Sequence, residues 1–553
     1  MSAQEIIYDV IGLGFGPSNL AIAGAFVDGA GRPSAVPLSN ILFIEKQEGF
    51  GWHPGMLLPG ARMQICFLKD LATLRSPQSE FTFVSYLHSQ NRLSDFINRG
   101  SNFPTRTEYS DYLAWAARLV QGKGVTVAYG ENVVGVSEKD AKTIEVQSVV
   151  LSTGERVARL TKNLIISPGG EPRMPRPLEC IQGQGGGRII HSSTYLMSVE
   201  ALLQSLQGQN SRGRPFRIAV VGSGQSAAEV ILELHSRLRS VTRVGEDSHT
   251  LDMIIRKGSL KPSDDSPFSN EIFNPDGTDV VFGLQSSFAR RHIRKEYENT
   301  NYGVVNPQTL ERLYEVLYEQ KLNEGIYKRT GRLAPEETPK VNILPYSGIL
   351  SADVHNTAGC QGSLNEQPGP ITMIMQHTLT HQVYQKVYDA VICATGYRRK
   401  HWLQLLASSN IGKYFDLDPG AQEDVRLTVE TDLEEPGMAG LMFKLVDHIA
   451  DDEGNSGGGT PSTGFSTPIT PQSSVEDRFP KKQKTVHISR AYRLLPKPQD
   501  SKESFKARIY VQGVAEETHG LSDTLLSVVG VRAGEIVDDI CAGLNDAGTP
   551  KTP

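Results

Sequence analysis

Short apolar runs that end in glycine-rich turns recur along the chain and predict buried parallel strands. The first run, Ile6 to Ile11, is followed at once by the turn GLGFGP at 12–17 and then by SNLAIAGAF at 18–26, which favours a helix. A continuous apolar strand is typical of a parallel sheet that is covered on both faces. The chain therefore opens with a predicted strand, a tight turn and a helix.

This order of strand, turn and helix is the context that a dinucleotide-binding fingerprint requires. Gly12 permits a tight turn, and Gly14 lets the backbone approach a pyrophosphate at the helix N-terminus. Pro17 takes the third position of the GxGxxG pattern, so the match is imperfect. A second apolar strand at 41–44 ends in Glu45, where a carboxylate would hold a ribose hydroxyl. These features predict a first dinucleotide site.

A second unit of the same kind lies about 200 residues further along. Residues 217–230, RIAVVGSGQSAAEV, contain a GxGxxA pattern that begins at Gly222. The next predicted strand, LDMIIRKG at 251–258, ends in Arg256 and Lys257 instead of an acid. Because a guanidinium pairs with a 2′-phosphate and an acid repels it, this unit predicts NADPH. Two dinucleotide sites in one chain suggest FAD together with a nicotinamide cofactor.

A lysine lies in the apolar stretch RMQICFLKDLATLR at 62–75. An unpaired ammonium in a buried run is unfavourable, so Lys69 requires a carboxylate, a phosphate or a bound ligand. The glycine turns and Arg256 account for the predicted phosphates. Lys69 is therefore predicted to bind a substrate carboxylate.

The remaining pattern is mixed. Apolar spacing at 80–90 and 108–120 predicts two helices, and short strands are predicted near 125–130 and 143–152. Residues 286–322 favour helices again. A loop is predicted to interrupt these helices at 299–303.

Four further stretches are predicted from composition and local pattern. Residues 264–274, with Asp264, are rich in turn-forming types and are predicted as turns. Residues 331–370 carry little pattern, whereas YDAVICATGY at 388–397 predicts a strand that runs into a turn. Residues 451–475 are rich in Gly, Ser, Thr and Pro and are predicted to be a disordered linker.

The C-terminal part is predicted to form a strand at 508–514 and then a helix with Ser522 as its N-cap. The inner face of this helix is predicted to carry Leu525, Leu526, Val529 and Ile536. The isolated His519 before it attracts notice, although most isolated histidines are structural.

These elements predict an α/β fold with two Rossmann-like dinucleotide-binding domains, for FAD and NADPH, and a small, mostly helical substrate-binding region. The predicted boundaries are 1–185 and 388–545 for the FAD domain with a disordered insert at about 448–482, 186–265 and 335–387 for the NADPH domain, and 266–334 for the helical region.

Charge and cysteine content exclude several classes of function. A formal net charge of -6 gives no electrostatic case for nucleic acid or an anionic membrane, so small molecules are the predicted partners. The five cysteines are scattered without a CxxC pair, which argues against a disulfide framework, a zinc site or a dithiol reductase. The chain enters a strand at once and has no apolar run of about 20 residues, so we expect a soluble cytosolic protein.

Two other chemistries lack their motifs. The serine and glycine clusters do not follow the GxSxG order of a serine hydrolase. The 13 histidines include no HExxH or similar pair, so no metal site is predicted.

Several motifs together resemble one family, the fungal L-ornithine N(5)-monooxygenases of siderophore biosynthesis. The resemblance covers most of the chain in order and rests on IGLGFGPSNLAIA, FGWHPGMLLPGARMQICFLKDLATLRSPQSEFTFVSYL, VVGSGQSAAEV, PSDDSPFSNEIFNP, TNYGVV, ATGY and THGLSDTLLSVVGVR. It implies a cytosolic, homotetrameric FAD enzyme. Such an enzyme uses NADPH and O₂ to hydroxylate the side-chain nitrogen of L-ornithine through a C(4a)-hydroperoxyflavin.

The resemblance also implies roles for individual residues. The implied FAD contacts are Gly12, Gly14, Gly16, Glu45, Lys46, Trp52, His53, Gln64, Val133, Thr524, Leu525 and Leu526. The implied NADPH contacts are Ser223, Gly224, Gln225, Ser226, Arg256, Asn301, Tyr302 and Gly303. The implied ornithine contacts are Lys69, Asn270, Glu271, Ile272, Phe273 and Ser527.

Two alternatives stay open at the level of sequence. An L-lysine N(6)-monooxygenase would share the cofactor sites, and only the pocket length would differ. A flavin-binding protein without monooxygenase activity would also carry the glycine turns. The group that deprotonates the substrate amine cannot be named from the sequence.

Overall fold

The computed structural model describes eleven parts of the chain. They are residues 6–33, 35–209, 214–241, 248–264, 266–331, 338–356, 368–417, 419, 425–430, 484–497 and 505–548. The predicted disordered insert at 448–482 lies outside the described residues.

The described residues form strands and helices in the mixed order of an α/β protein. The strands are β1 (Ile7–Leu13), β2 (Ile41–Glu45), β3 (Thr126–Tyr129), β4 (Glu131–Asp140), β5 (Thr143–Val150), β6 (Arg156–Ile166), β7 (Glu171–Pro172), β8 (Ile189–His191), β9 (Arg217–Val221), β10 (Thr250–Ile254), β11 (Lys340–Leu344), β12 (Ser347–Asn356), β13 (Pro368–His377), β14 (Val383–Tyr388), β15 (Ala390–Cys393), β16 (Tyr397–Arg398), β17 (Val425–Thr428), β18 (Lys484–Ile488), β19 (Leu494–Leu495) and β20 (Arg508–Val511). The helices are α1 (Pro17–Gly29), α2 (Phe83–Ser89), α3 (Leu93–Asn98), α4 (Arg106–Gly122), α5 (Arg176–Glu179), α6 (Tyr195–Gln209), α7 (Gln225–Leu238), α8 (Pro267–Glu271), α9 (Gly277–Gly283), α10 (Ser287–Asn301), α11 (Pro307–Thr330), α12 (His401–Ala407), α13 (Glu516–His519) and α14 (Val529–Gly548).

The first sheet has seven strands in the order β3-β2-β1-β6-β5-β4, with β20 paired to β6. Strands β1, β2, β3, β6 and β20 pair in parallel, whereas β4, β5 and the first half of β6 form an antiparallel meander. The apolar run of β1 is buried in the centre, with Ile11 fully shielded. The predicted first unit of strand, turn and helix is thus confirmed.

The second sheet is parallel throughout, in the order β11-β10-β9-β15-β8. Its core is shared with α6, α7 and α11. This arrangement confirms the second predicted unit and the α/β fold class. The boundary at 388 requires a correction, because β15 pairs with β9 and β8 here and not with the first sheet. Its four residues are all buried, so its apolar side chains belong to this core.

Two regions that the sequence left weakly described contain strands. Residues 340–388 form β11 at the sheet edge and the antiparallel sheet β12-β13-β14, which packs on the second sheet through Met373 and Met375. Strand β4 was missed because it carries many polar residues and is only partly buried. Both errors arise because a half-exposed strand gives a weaker pattern than a buried one.

Two predicted element boundaries are wrong. The predicted loop at 299–303 starts too early, because α10 continues to Asn301 and Gly303, with φ +68°, follows its end. Ser522 is not the N-cap of the last helix, since it lies in a 3-10 turn at Leu521–Thr524. Buried Arg532 donates to the backbone and side chain of Asp523 and holds this segment as a turn, so α14 begins only at Val529.

The predicted turns at 264–274 are partly correct. The Asp264 side chain accepts from Ser266 N–H (2.9 Å) and Ser269 Oγ–H (2.5 Å), as turn chemistry predicts. A short helix, α8, nevertheless follows, with Ser266 as its N-cap. No described helix is long and apolar enough to cross a membrane.

The stretch that carries Lys69 has no regular secondary structure and is held by the buried carboxylate of Asp70. Asp70 is 2% exposed and accepts hydrogen bonds from the backbone N–H groups of Ala72 (2.9 Å), Thr73 (2.6 Å) and Phe83 (2.6 Å). The Thr73 hydroxyl donates a fourth bond, at 2.8 Å. Tyr112 secures the same segment, because its hydroxyl accepts from Leu71 N–H and donates to Phe81 O. The backbone before α2 is therefore fixed by polar contacts in place of a helix or strand.

We predict that Asp70→Asn lowers the free energy of unfolding by about 3 kcal/mol, because one carboxylate oxygen becomes an amide N–H₂ that faces buried donors. Chemical denaturation followed by far-UV circular dichroism measures the change. Asp111→Asn, at a half-exposed position on α4, is the control and should cost much less. An Asp70→Asn protein as stable as the parent would contradict the role of this carboxylate.

His519 is a buried structural histidine. Its ring stacks on Tyr492 at a centroid distance of 4.0 Å, and its Nε2–H donates to Arg490 O. Burial lowers the pKa of His519 to about 4, and the nearby Asp523 carboxylate offsets this only in part. The neutral ring is therefore part of the folded state.

We predict that stability falls as the pH decreases from about 6.5 to about 4, because the unfolded chain binds a proton on His519 that the folded protein rejects. Because of this histidine, the free energy of unfolding is about 3 kcal/mol higher above pH 6.5 than it is below pH 4. His519→Gln should flatten the slope of unfolding free energy against pH in this window, whatever its effect on absolute stability. An unchanged slope would show that His519 titrates normally.

Candidate functional site

A cavity of ≈ 400 Å³ lies at the carboxyl edge of the first sheet. Neighbouring parallel strands β1, β6 and β20 all end there, and each is followed by residues that line the cavity. The crevice outside the carboxyl ends of parallel strands is where open α/β sheets bind ligands. The lining residues are Gly16, Pro17, Ser18, Trp52, His53, Arg62, Met63, Gln64, Ile65, Lys69, Arg106, Ser167, Gly169, Gly170, Ser263, Asp264, Asn270, Phe273, Thr300, Asn301, Val304, Tyr397, Arg399, Gln512, Gly513, Thr524, Leu525, Leu526 and Ser527.

The first glycine turn is closely packed on one side and open on the other. Gly14 has φ +81°, and a Cβ there would lie 2.7 Å from the Ser167 carbonyl oxygen. A Cβ at Gly16, by contrast, would meet no atom within 4 Å. Pro17 begins α1 at a position that needs no N–H donor, so the missing third glycine is no defect. The turn therefore leaves room for a phosphate group at the N-terminus of α1.

Glu45 is fixed beside this turn. Its carboxylate is buried and accepts hydrogen bonds from Phe15 N–H (2.7 Å) and Gln47 N–H (2.9 Å). The end of β2 is thereby tied to the glycine turn. Two bonds leave further acceptor capacity on a carboxylate, which suits a ribose hydroxyl.

Four of the predicted substrate contacts converge on the cavity: Lys69, Asn270, Phe273 and Ser527. Lys69 is half-buried, not fully buried as its neighbours suggested, and its side chain has no carboxylate partner among the described residues. Burial lowers the pKa of the Lys69 ammonium, and Cys66 and Glu271 offset this in part. The Ser527 hydroxyl is buried and has no hydrogen-bond partner among the residues that the structure describes. A cation and a hydroxyl with unused hydrogen-bonding capacity in the same lining fit a polar, anionic group.

The second glycine turn lies under the loop that follows α10. Gly222 has φ +146° and packs against the Ala394 carbonyl, and a Cβ at Gly224 would lie 3.7 Å from Gly303 Cα. Gln225 already has three protein contacts: Asn306 N–H donates to it at 2.7 Å, and its amide bonds Glu229 and Thr309. This turn is therefore tied to α11 as well as to the loop.

The structure divides the predicted site residues into two groups. Those that line the cavity are Gly16, Trp52, His53, Gln64, Lys69, Asn270, Phe273, Asn301, Thr524, Leu525, Leu526 and Ser527. Those that do not line it are Gly12, Gly14, Glu45, Lys46, Val133, Ser223, Gly224, Gln225, Ser226, Arg256, Glu271, Ile272, Tyr302 and Gly303. The proposed ligand contacts of both groups stay predictions.

Sequence reasoning missed three arginines at the cavity, Arg62, Arg106 and Arg399. Arg106 forms an ion pair with Glu229 of α7 at 2.6 Å, which joins α4 to the second sheet. Arg399 follows the ATGY turn, and this position after a predicted strand and turn was the only signal available for it. With Lys69, these side chains give the cavity four cations.

Asp264 is the one carboxylate in the described lining, so the cavity is cationic. The hydrogen bond from Ser269 holds the pKa of Asp264 below its ordinary value. His53 lies near Arg106 and Arg399, and burial first and these cations second lower its pKa. The cations of the lining, together with the first glycine turn at Gly16, fit a ligand that carries phosphates or a carboxylate. Among the described residues no cluster of His, Cys, Asp or Glu is placed to hold a metal ion.

Comparison with known proteins identifies a family and close relatives in sequence. Residues 6–399 match the model of the L-lysine 6-monooxygenase/L-ornithine 5-monooxygenase family. The chain is 48% identical to the L-ornithine N(5)-monooxygenase of Ceriporiopsis subvermispora, over 98% of this chain and 99% of that protein. It is 44% identical to the Omphalotus olearius enzyme of the same name, over 98% of each chain.

Solved structures agree in fold. The reduced form of ornithine hydroxylase from Pseudomonas aeruginosa superposes with a TM-score of 0.69 at 31% identity, covering 98% of this chain and 100% of the other. The Kutzneria sp. 744 ornithine N-hydroxylase with reduced FAD, NADP⁺ and L-ornithine gives 0.66 at 26% identity, covering 97% and 99%. The chain belongs to the L-lysine 6-monooxygenase/L-ornithine 5-monooxygenase family.

Proposed function

We propose that the protein is an FAD- and NADPH-dependent L-ornithine N(5)-monooxygenase. The observation that carries the proposal is the cavity in which an open glycine turn, the half-buried Lys69 and the unsatisfied Ser527 hydroxyl lie together. The overall reaction converts L-ornithine, NADPH, H⁺ and O₂ into N(5)-hydroxy-L-ornithine, NADP⁺ and H₂O. Bound FAD, reduced by NADPH, supplies the oxygen-transfer chemistry.

The first glycine turn and Glu45 would hold the FAD pyrophosphate and ribose. The open space at Gly16 and the closed side at Gly14 support this assignment. Trp52, His53 and the 524–526 segment line the cavity next to the turn and would enclose the rest of the cofactor. The second glycine turn and Arg256 would hold NADPH.

Lys69 would bind the substrate α-carboxylate, while Asn270 and Ser527 supply neutral hydrogen-bonding groups nearby. This contact selects an amino acid over a simple amine and fixes the distance from the carboxylate to the reacting nitrogen. Ornithine and lysine differ by one methylene, so that fixed distance sets the preference between them.

The reacting amine must be neutral, yet an alkyl ammonium with pKa near 10.4 is neutral only in about one part per thousand at pH 7. Arg62 and Lys69, which have no ion pair among the described residues, favour the neutral amine because like charges disfavour the protonated form. The Asp264 carboxylate, the one acidic group in the described lining, acts in the opposite direction and favours the ammonium.

The product carries a hydroxylamine nitrogen, which forms a hydroxamate when it is acylated. Hydroxamates bind Fe³⁺ through two oxygens, so we place the reaction at the start of hydroxamate siderophore synthesis and iron acquisition. The four described cysteines, Cys66, Cys180, Cys393 and Cys541, are free thiols, which supports a reducing compartment such as the cytosol.

We predict that the purified FAD-loaded protein forms hydroxylamine product with ornithine at least tenfold more efficiently than with lysine. Lys69→Met should weaken ornithine binding by about 30-fold, because a charge-assisted contact is lost. The KM for ornithine and the yield of hydroxylated product measure both effects.

Lys413→Met, which removes an exposed lysine paired with Glu138, is the matched control and should leave ornithine kinetics unchanged. A preference for lysine would favour the lysine N(6)-monooxygenase alternative. Yellow protein that hydroxylates neither amino acid would instead identify a flavin-binding protein without this activity. An unchanged KM in Lys69→Met would refute the role of Lys69 alone.

The active form is proposed to be a homotetramer, and α11 offers a surface for assembly. Tyr314, Tyr318, Leu322 and Ile326 lie four residues apart on this helix and are 38–65% exposed. Residues at this spacing form one continuous stripe. The other side of α11 packs on the second core through Leu313 and its neighbours. An exposed apolar stripe of this kind is typical of an interaction surface.

We predict that Tyr318→Glu combined with Leu322→Glu shifts the protein to a smaller species, because charges on the stripe oppose burial. Light scattering coupled to size-exclusion chromatography measures the mass. Glu155→Lys, in the turn before β6, is the surface-charge control. A tetramer that survives the double substitution would exclude this stripe as the interface.

A further inference from the structure

Lys257 is a cation next to the second glycine turn, and no function has yet been assigned to it. It follows Arg256 directly after β10, and both side chains are exposed. Two consecutive cations at the end of this strand exceed what a single 2′-phosphate contact requires. Their side chains need not have the same partner.

The position of Gly303 shows where the Lys257 side chain lies. A Cβ at Gly303 would be 3.2 Å from Lys257 Nζ and 3.8 Å from Ser223 Oγ. Gly303 in turn packs on Gly224, since a Cβ at Gly224 would lie 3.7 Å from Gly303 Cα. The ammonium group therefore lies beside the turn Ser223-Gly224, at the N-terminus of α7, and the absence of a side chain at Gly303 leaves space for it.

The charges around the Lys257 ammonium indicate what kind of ligand binds beside it. The N-terminus of α7 carries a partial positive charge from its free N–H groups. Lys257 has no ion pair or side-chain hydrogen bond among the described residues that would offset a second positive charge there. A cation beside a helix N-terminus is favourable only when an anion lies between them. The geometry thus calls for an anionic ligand.

The positions of Arg256 and Lys257 in the Rossmann unit indicate which anionic group lies beside each side chain. In a Rossmann unit the adenosine ribose lies at the end of the second strand, whereas the pyrophosphate lies against the glycine turn at the helix N-terminus. Arg256 lies at the strand end, and the Lys257 ammonium lies at the turn. Adjacent residues are therefore aimed at different parts of one dinucleotide.

We propose that Lys257 is a further cofactor-binding residue whose ammonium contacts the pyrophosphate of the nicotinamide dinucleotide at the second glycine turn. This inference rests on the proposed function, because it takes the second turn as the NADPH site. Lys257 sets the affinity for any nicotinamide dinucleotide, whereas Arg256 sets the preference for NADPH over NADH.

The test compares Lys257→Gln and Arg256→Gln in the FAD-loaded protein. Dissociation constants for NADP⁺ and NAD⁺ are measured by isothermal titration calorimetry at one fixed ionic strength, without turnover. We expect Lys257→Gln to weaken both ligands by the same factor of about ten, because both carry the pyrophosphate. Arg256→Gln should weaken NADP⁺ alone and narrow the ratio of the two constants.

Two controls separate binding from structure. Lys257→Arg retains the charge and should recover most of the affinity, which a purely structural role would not require. Lys123→Gln removes an equivalent charge at the far end of α4, where the lysine pairs with Glu80, and should change neither constant. Thermal unfolding of each variant checks that the fold is intact.

The outcomes are distinct. Weaker NADP⁺ binding with unchanged NAD⁺ binding in Lys257→Gln would place this lysine on the 2′-phosphate and overturn the proposal. Unchanged binding of both, with Arg256→Gln acting as expected, would refute the role of Lys257 and leave the proposed function in place. No effect in either variant would instead remove the second turn from the NADPH site.

Discussion

The buried carboxylate of Asp70 is the constraint on which the wall of the cavity around Lys69 depends. It accepts from three donors at Ala72 and Thr73 and from the first residue of α2, Phe83, and so fixes a segment that has no helix or strand of its own. Lys69, the preceding residue, is thereby held with its side chain toward the cavity while Asp70 faces the core. A lysine on a freely moving loop would lose backbone entropy at each binding event in addition to the entropy of its side chain. The contacts of Asp70 remove that backbone cost for any ligand that Lys69 binds.

Elsewhere in the cavity, too, a hydrogen-bonded network fixes the backbone while a nearby polar side chain is left without a partner among the described residues. Asn19 donates to the carbonyls of Leu13 and Gly14, so its oxygen must accept, and the Gln512 amide N–H donates to it at 3.0 Å. This network fixes the ends of β1 and β20 against each other. Ser527 lies in the 3-10 turn Leu526–Val528 just before α14, and its hydroxyl has no partner within the described part of the chain. Buried polar groups are normally satisfied, so those left over at a cavity mark where a ligand completes the structure.

The sequence pattern predicted those elements that neighbouring residues in the chain determine. Both glycine turns and their buried strands were readable from apolar runs, because a strand covered on both faces has no polar positions. The β15 boundary, the partly buried β4 and the antiparallel sheet at 340–388 depend on which strands meet in space, and no periodicity encodes that. Arg106 likewise is an ordinary first residue of a helix until Glu229 is brought to it from 123 residues away. Ser522 was misassigned because a buried ion pair between Asp523 and Arg532 overrides the local preference for a cap.

The loop after α10 connects the two halves of the site physically. Gly303 covers the second glycine turn, and the neighbouring Tyr302 hydroxyl bonds Glu516. Glu516 also accepts from the Thr524 hydroxyl at 2.5 Å and lies 3.6 Å from Arg399. One carboxylate therefore connects the loop, the 3-10 turn at Leu521–Thr524 and the residues after the ATGY turn. A ligand that contacts the loop would therefore also act on groups that line the cavity. Because such coupling is reciprocal in binding free energy, a ligand in the cavity and a ligand at the loop would change each other's affinity by the same factor.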